Sequence, residues 1–310
     1  MHQRLVETML NRFRYPRRLV DGCTPFWVSV IGKSPEDFAR DFSNRRFLRP
    51  ASDAESLKAS STVGVLKALA KERGLPVSGT KDALVDRLLA SASPPSIPAG
   101  LFVLSNEGNS ALEEVRQRYE TDRAISRGEA ASKVSAGDLV SALRLLKDHT
   151  ARWSIDFLLP ANPLSIPISD EIMLEDAKWI LSNVPDLLKK LPTEALVICR
   201  MGATLKALSW NDEENLYENP TGKKSDTTEL LTDAVRMYAA AAHFERERRN
   251  WFEMFPSGQG EVVTCSDSKR CDECAKLEGV KFTSGKMPSL PHARCTSPKG
   301  CRCMALWYDE

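Results

Sequence analysis

Six of the eight cysteines in this 310-residue chain fall between Cys265 and Cys303, and their spacing is that of a metal centre. Cys271-x-x-Cys274 presents two thiolates from one tight knuckle. Cys295, Cys301 and Cys303 follow after a gap, with His292 just ahead of them. Zinc takes four such ligands in a tetrahedron. Cys271, Cys274, Cys295 and Cys301 are the first choice. Cys303 and His292 are alternates, because Cys-x-Cys is also a usable pair, and Cys265 is the least favoured. A closed set of four protein ligands makes a structural site rather than a catalytic one. Lys269, Lys276, Arg294 and Arg302 lie close enough in sequence to offset the charge of four thiolates. Free or disulfide-bonded cysteines are the alternative. The N-terminus has no apolar core of a secretory signal, which favours metal over disulfides.

A second chemistry, anion binding, is written around Ser78-Gly79-Thr80. The surrounding sequence, STVGVLKALAKERGLPVSGTKDALVDRLL, joins two short amphipathic helical patterns through a Gly-Leu-Pro-x-Ser-Gly loop. Ser61 or Thr62 can cap the first helix by accepting a bond from an orphan backbone N–H. Val65, Leu66 and Leu69 supply its apolar stripe, and Gly74 suits the left-handed residue that ends it. Leu75 and Val77 are expected to tuck the loop against the core. Thr80 caps the second helix, whose stripe is Leu84, Val85 and Leu88. Backbone N–H groups and the helix dipole at Ser78, Gly79 and Thr80 favour a phosphate. Lys67, Lys71, Arg73, Lys81 and Arg87 supply positive charge around them. From 57 to 90 there are six basic and three acidic residues.

This stretch resembles the SAP module, a small helix–loop–helix unit. The resemblance implies duplex DNA binding through backbone and groove shape, with low sequence specificity. Some members of that family bind proteins instead.

The near-neutral total charge hides a division. Residues 1–49 carry ten basic and five acidic side chains, residues 91–264 nineteen and twenty-six, and residues 265–303 eight and four. Nucleic acid is therefore expected at the N-terminal third and less so at the C-terminal end. No apolar run is long enough for a membrane helix. The chain divides into an N-terminal helical or irregular segment (1–56), a SAP-like domain (57–91), a Pro/Ser linker (92–100), a helical scaffold (101–255) and a Cys-rich zinc-binding domain of α+β type (256–310). The fold class is mainly α and multidomain, with a few short strands near the cysteines. Phe26, Trp27 and Val28 form an apolar patch in the first segment.

Helices are expected over about 109–123, 136–149, 170–183, 186–191, 194–208 and 227–252. Ser135, Ser169 and Thr193 are candidate caps, and 211–226 reads as a loop. The middle shows no phosphate-binding loop, dinucleotide fingerprint or nucleophile elbow. His149 and His243 lack a second ligand at metal spacing. Trp251 and Phe252 read as core anchors.

The tail also resembles the phage Mu-type head-morphogenesis family. The matching features are a long helix, a strand at 262–264, Cys271/Cys274, Leu277-Glu278-Gly279, Pro291-His292 and Cys301-Arg302-Cys303. An insertion, 296–300, separates His292 and Cys295 from the Cys-Arg-Cys. That resemblance implies a phage-like setting, and with it a structural or assembly protein as the alternative function. A metal-dependent nuclease is a weaker alternative, because the tail offers Asp267, Asp272 and Glu273 but a single His. The reading adopted is a non-enzymatic DNA-binding protein. Its SAP-like unit holds duplex DNA, residues 101–255 serve as scaffold or partner surface, and zinc closes the tail. The expected location is cytoplasmic, on a nucleoid or in a nucleus.

Overall fold

The computed structural model describes residues 3–19, 34–153, 168–208, 226–264, 270–297 and 300–309. The apolar patch at 26–28, the loop at 211–225 and Cys265 lie outside them. Mainly α structure is what the chain adopts, divided into two compact units. The first spans 1–123 and 150–165. The second spans 124–149 and 166–310.

The first unit opens with α1 (Gln3–Arg12), β1 (Arg17–Arg18), α2 (Pro35–Asn44) and β2 (Leu48–Pro50). Three helices follow: α3 (Asp53–Ser60), α4 (Val63–Glu72) and α5 (Lys81–Leu89). The chain then returns as β3 (Leu101–Leu104) and enters the long α6 (Asn106–Ser135). β3 is the central strand of an antiparallel sheet, paired with β1 on one side and β2 on the other. Sequence patterning gave no sign of this sheet, whose strands are two to four residues long. Met9, Leu10, Phe13, Phe42, Leu48, Leu104 and Leu112 form its buried core.

The three short helices have a separate core of Leu57, Leu66, Ala70, Leu84, Val85 and Leu88. They form an excursion between two paired strands. Its two ends meet where the Ala51 N–H donates to the Leu101 carbonyl at 2.9 Å. At the entry, Arg49 grips Glu55 through two bonds of 2.8 and 2.7 Å, and Ser52 and Glu55 complete a capping box. Asp122 later accepts from Trp153 Nε1 at 2.6 Å.

The second unit is built on α7 (Leu139–Trp153), which begins there and ends in the first unit, and on α8 (Asp170–Ser182), α9 (Thr193–Leu208) and α10 (Asp226–Met254). A 3-10 turn, Asp186–Lys190, precedes α9. The expected helices are present with small shifts. α6 is the exception: it runs past 123 to Ser135 as one helix. Ser169 caps α8. Asp138, not Ser135, caps α7, accepting from the Ser141 N–H at 3.1 Å. The core packs Ile180, Cys199, Ala203, Leu208 and Tyr238 without exposure. One buried ion pair pins α8 to α10, with Arg246 Nε 2.9 Å from Asp176 Oδ1. Desolvation pushes the Asp176 carboxyl above its usual range despite the arginine. Removing one partner of such a pair is costly because the other is left buried and unpaired.

The tail adds β4 (Gln259–Val263), α11 (Asp272–Ala275), β5 (Lys281–Phe282), a 3-10 turn at Ser284–Lys286 and β6 (Met304–Tyr308), in sheet order β5-β4-β6. Trp307 on β6 stacks on Phe244 at 6.0 Å and meets Phe252 edge-on at 5.7 Å. Phe252 is thus a core anchor. The tail has apolar support of its own from Phe244, Phe252, Val262, Met287 and Leu290.

Candidate nucleic-acid interface and metal centre

The helical hairpin is held by its caps and by two arginines. Thr62 accepts from the Val65 N–H and Thr80 from the Ala83 N–H, each at 3.3 Å. Gly74, at φ +66°, ends α4 in the left-handed conformation expected of it. Arg73 does not reach out. Its Nε donates to the Ser93 carbonyl at 2.8 Å and its Nη1 to Leu69 at 3.1 Å, closing the hairpin from behind. Arg87 is likewise turned inward. It donates to the Pro76 carbonyl and, at 3.1 Å, to Ser78, so it fixes the loop.

The side chains facing solvent are Lys67 and Lys71, four residues apart on α4, with Lys81 half-buried at the start of α5. Ser78, Gly79 and Thr80 are exposed. Lys58, at the end of α3, is engaged by Asp82. One stripe assignment and one loop assignment are corrected: Val65 is 48% exposed and Val77 is 42% exposed. The extra helix α3 explains this, because Leu57 supplies the apolar contact and α4 turns Leu66 and Ala70, not Val65, inward. The sequence pattern showed two helices, since α3 has little amphipathic contrast.

In the tail, α11 places Cys271 at its N-cap, where its sulfur accepts from the Cys274 N–H at 3.4 Å. Cys271 Sγ lies 3.6 Å from Cys295 Sγ, and Cys274 Sγ lies 4.0 Å from Cys301 Sγ. Tetrahedral sulfurs about 2.3 Å from zinc stand about 3.8 Å apart, so each of these two pairs is spaced as two ligands of one ion would be, although Cys271, Cys274, Cys295 and Cys301 do not form a single group of four. Two groups of three sulfurs form, Cys271/Cys274/Cys295 and Cys274/Cys301/Cys303, with Cys274 in both. Cys303 therefore joins the cluster. Among the described residues no histidine nitrogen enters either group. His292 takes part through its main chain, its N–H donating to Cys301 Sγ at 3.3 Å. Gly300 lets the loop before Cys301 lie on α10: its φ is +75°, and a Cβ there would meet Met237 Sδ at 2.5 Å.

The thiols are electrostatically unequal. The Cys303 side chain donates to Cys301 and, against the opposing effect of burial, brings it down to about 5. Burial opposes ionisation of Cys271, but N–H donors from Thr296 and Cys274 bring it down to about 7. Burial pushes Cys295 up to about 11 and raises Cys274 as well. Cys303 is raised first by its bond to Cys301 and then by burial. The arrangement offers thiolates to a soft or borderline cation, and the cluster can hold a metal ion.

Residues 59–91 match the family model of the SAP domain. That stretch, α4 and α5 with the loop between them, is a SAP domain and points to association with nucleic acid. No curated protein and no solved structure matches the chain. The resemblance of the tail to the phage Mu-type family finds no support in these comparisons. Among the described residues no helix is long and apolar enough to cross a membrane.

Proposed function

We propose that this chain is a non-enzymatic DNA-binding protein that holds duplex DNA through its SAP domain, with a structural zinc site in its tail. The observation that carries the reading is the SAP domain at 59–91 with Lys67, Lys71 and Lys81 free to meet phosphates while Arg73 and Arg87 brace the loop. Charge on a helical hairpin positions a protein on the phosphate backbone but carries little base information. Residues 101–255 supply a scaffold, or a surface for a protein partner. One buried polar pair there, Asp176 and Arg246, is taken up in packing. The thiol cluster suits zinc because its donors are all sulfur.

Fluorescence anisotropy of a generic duplex at several salt concentrations tests the reading. Affinity should fall steeply with salt, by close to one unit of log–log slope per phosphate contact. Changing Lys67, Lys71 and Lys81 together to Ala should reduce that slope by about 2–3 with the circular dichroism spectrum unchanged. Unaltered binding would remove the SAP domain from the interaction.

A further inference from the structure

The sheet that anchors the SAP domain carries arginines that its own acids do not neutralise. Arg14, Arg18, Arg45 and Arg46 are all exposed, and no salt bridge engages them among the described residues. The sheet sets Arg14 and Arg46 at one end of β3 and Arg18 at the other, along edge strand β1, while Arg45 precedes Arg46 at the end of α2. The Leu104 N–H donates to the Phe13 carbonyl at 2.9 Å, and the Ser105 N–H donates to the Phe47 carbonyl at 3.0 Å. The segments on either side of β3 therefore put Arg14 and Arg46 one residue beyond these two bonds. Arg18 sits on edge strand β1, opposite Leu101.

Neighbouring strands stand about 4.8 Å apart, so the two arginine-bearing flanks are about 10 Å apart, a span covering a few phosphates of a duplex. Tyr15, 71% exposed, stands between Arg14 and the strand. Glu107 lies near Arg46, which helps to hold its carboxyl down, although its own N-terminal hydrogen bonds do more. Arg46 is partly offset by it, which leaves Arg14, Arg18 and Arg45 as the uncompensated charges.

We propose that Arg14, Arg18 and Arg45 form a second phosphate-contacting surface for duplex DNA, on the sheet from which the SAP domain projects. The proposal rests on the reading that this unit engages DNA. Both surfaces belong to the same compact unit, and the two crossings at Ala51–Leu101 and Arg49–Glu55 fix how the SAP excursion leaves the sheet. A duplex held by Lys67 and Lys71 can then be gripped again farther along its backbone, raising affinity by linkage of two weak contacts.

The test is a salt-dependent anisotropy titration of the full chain against Arg14→Gln/Arg18→Gln/Arg45→Gln, with Arg→Lys at the same positions and the Lys67/Lys71/Lys81→Ala variant alongside. Arg46 is left in place because its carbonyl accepts from Ser105 and its backbone is left-handed. The Gln variant should lose about 2–3 units of salt slope and bind about tenfold more weakly or worse at moderate salt. The Lys version should keep the slope, since a phosphate reads charge. Melting curves of all variants confirm that each is folded. If the Gln variant keeps the wild-type slope while the Lys→Ala variant loses its share, the second surface is refuted and the SAP reading stands. If the Gln variant weakens binding and the Lys→Ala variant does not, the arginine surface stands and the SAP reading fails. No binding by the unaltered chain at low salt refutes both.

Discussion

At the scale of single residues, the two arginines nearest the loop show how side-chain direction separates bracing from contact. Arg87 spends its guanidinium on Pro76 and Ser78, and Arg73 spends its own on Ser93 and Leu69. Charge counting placed both among the DNA contacts, because a sequence does not say which way a side chain points. Arg87→Ala should lower the stability of the first unit by about 1.5–3 kcal/mol, the worth of hydrogen bonds from a charged donor. Hydrogen exchange should quicken at 75–80 while Lys67 and Lys71 are untouched; unchanged exchange there would show that the loop holds itself. The sulfurs allow a similar test. Purified protein should carry about one zinc per chain. Because Cys274 belongs to both sulfur groups, Cys274→Ser should release the metal whichever thiol is fourth. Cys303→Ser should retain it if Cys271, Cys274, Cys295 and Cys301 are the ligands. Metal content by mass spectrometry reads both, and full retention by Cys274→Ser would dismiss a thiolate site centred on that knuckle.

Among elements, the entry to α3 governs how the SAP domain is seated. Two bonds from Arg49, together with donors at Ser52, hold the Glu55 carboxyl down to about 2 against the opposing effect of burial. With the folded-state pKa depressed, the stabilisation is complete above the ordinary glutamate value of 4.5 and disappears as pH falls through about 2. Glu55 is a third exposed and Arg49 nearly half, so solvent screening limits the pair and its capping box to about 1 kcal/mol. Glu55→Gln should therefore melt earlier than the parent at neutral pH and indistinguishably from it near pH 2; a gap that persists in acid would assign the loss to packing. This seat was not legible in the sequence. Linker-like composition and short strands of two to four residues carry no period that marks a sheet. What was legible has a local cause: the caps at Thr62, Thr80 and Ser169, the turn at Gly74 and the long stripes of α8 to α10 all depend on neighbours within a few residues. Cys-x-x-Cys reads locally for the same reason. The approach of Cys303 to Cys274 does not, because it depends on Gly300 letting a distant loop lie against Met237.

Across the whole molecule, the two chemistries fall in different compact units: the SAP domain in the first, the sulfur cluster in the second. Each has a core that does not draw on the other's, Leu57, Leu66 and Leu84 in one case and Val262, Met287 and Leu290 with Phe244 in the other. The tail's aromatic packing against Trp307 means that metal is not its sole source of order, in contrast to small knuckles that are unfolded without it. Stripping the metal with a chelator should therefore lower the melting temperature of one transition and expose the cysteines to a thiol reagent. The β4–β6 pairing should persist, and DNA affinity should keep its value, because Lys67, Lys71 and Lys81 share no element with the cluster. Two-wavelength melting with parallel anisotropy measures both quantities on one sample. If the chelated protein loses DNA binding while its SAP helices stay folded, the sulfur centre takes part in the interaction. The positive charge around it, Arg270, Lys276 and Arg294 among others, would then belong to the nucleic-acid surface rather than to the balance of thiolate charge.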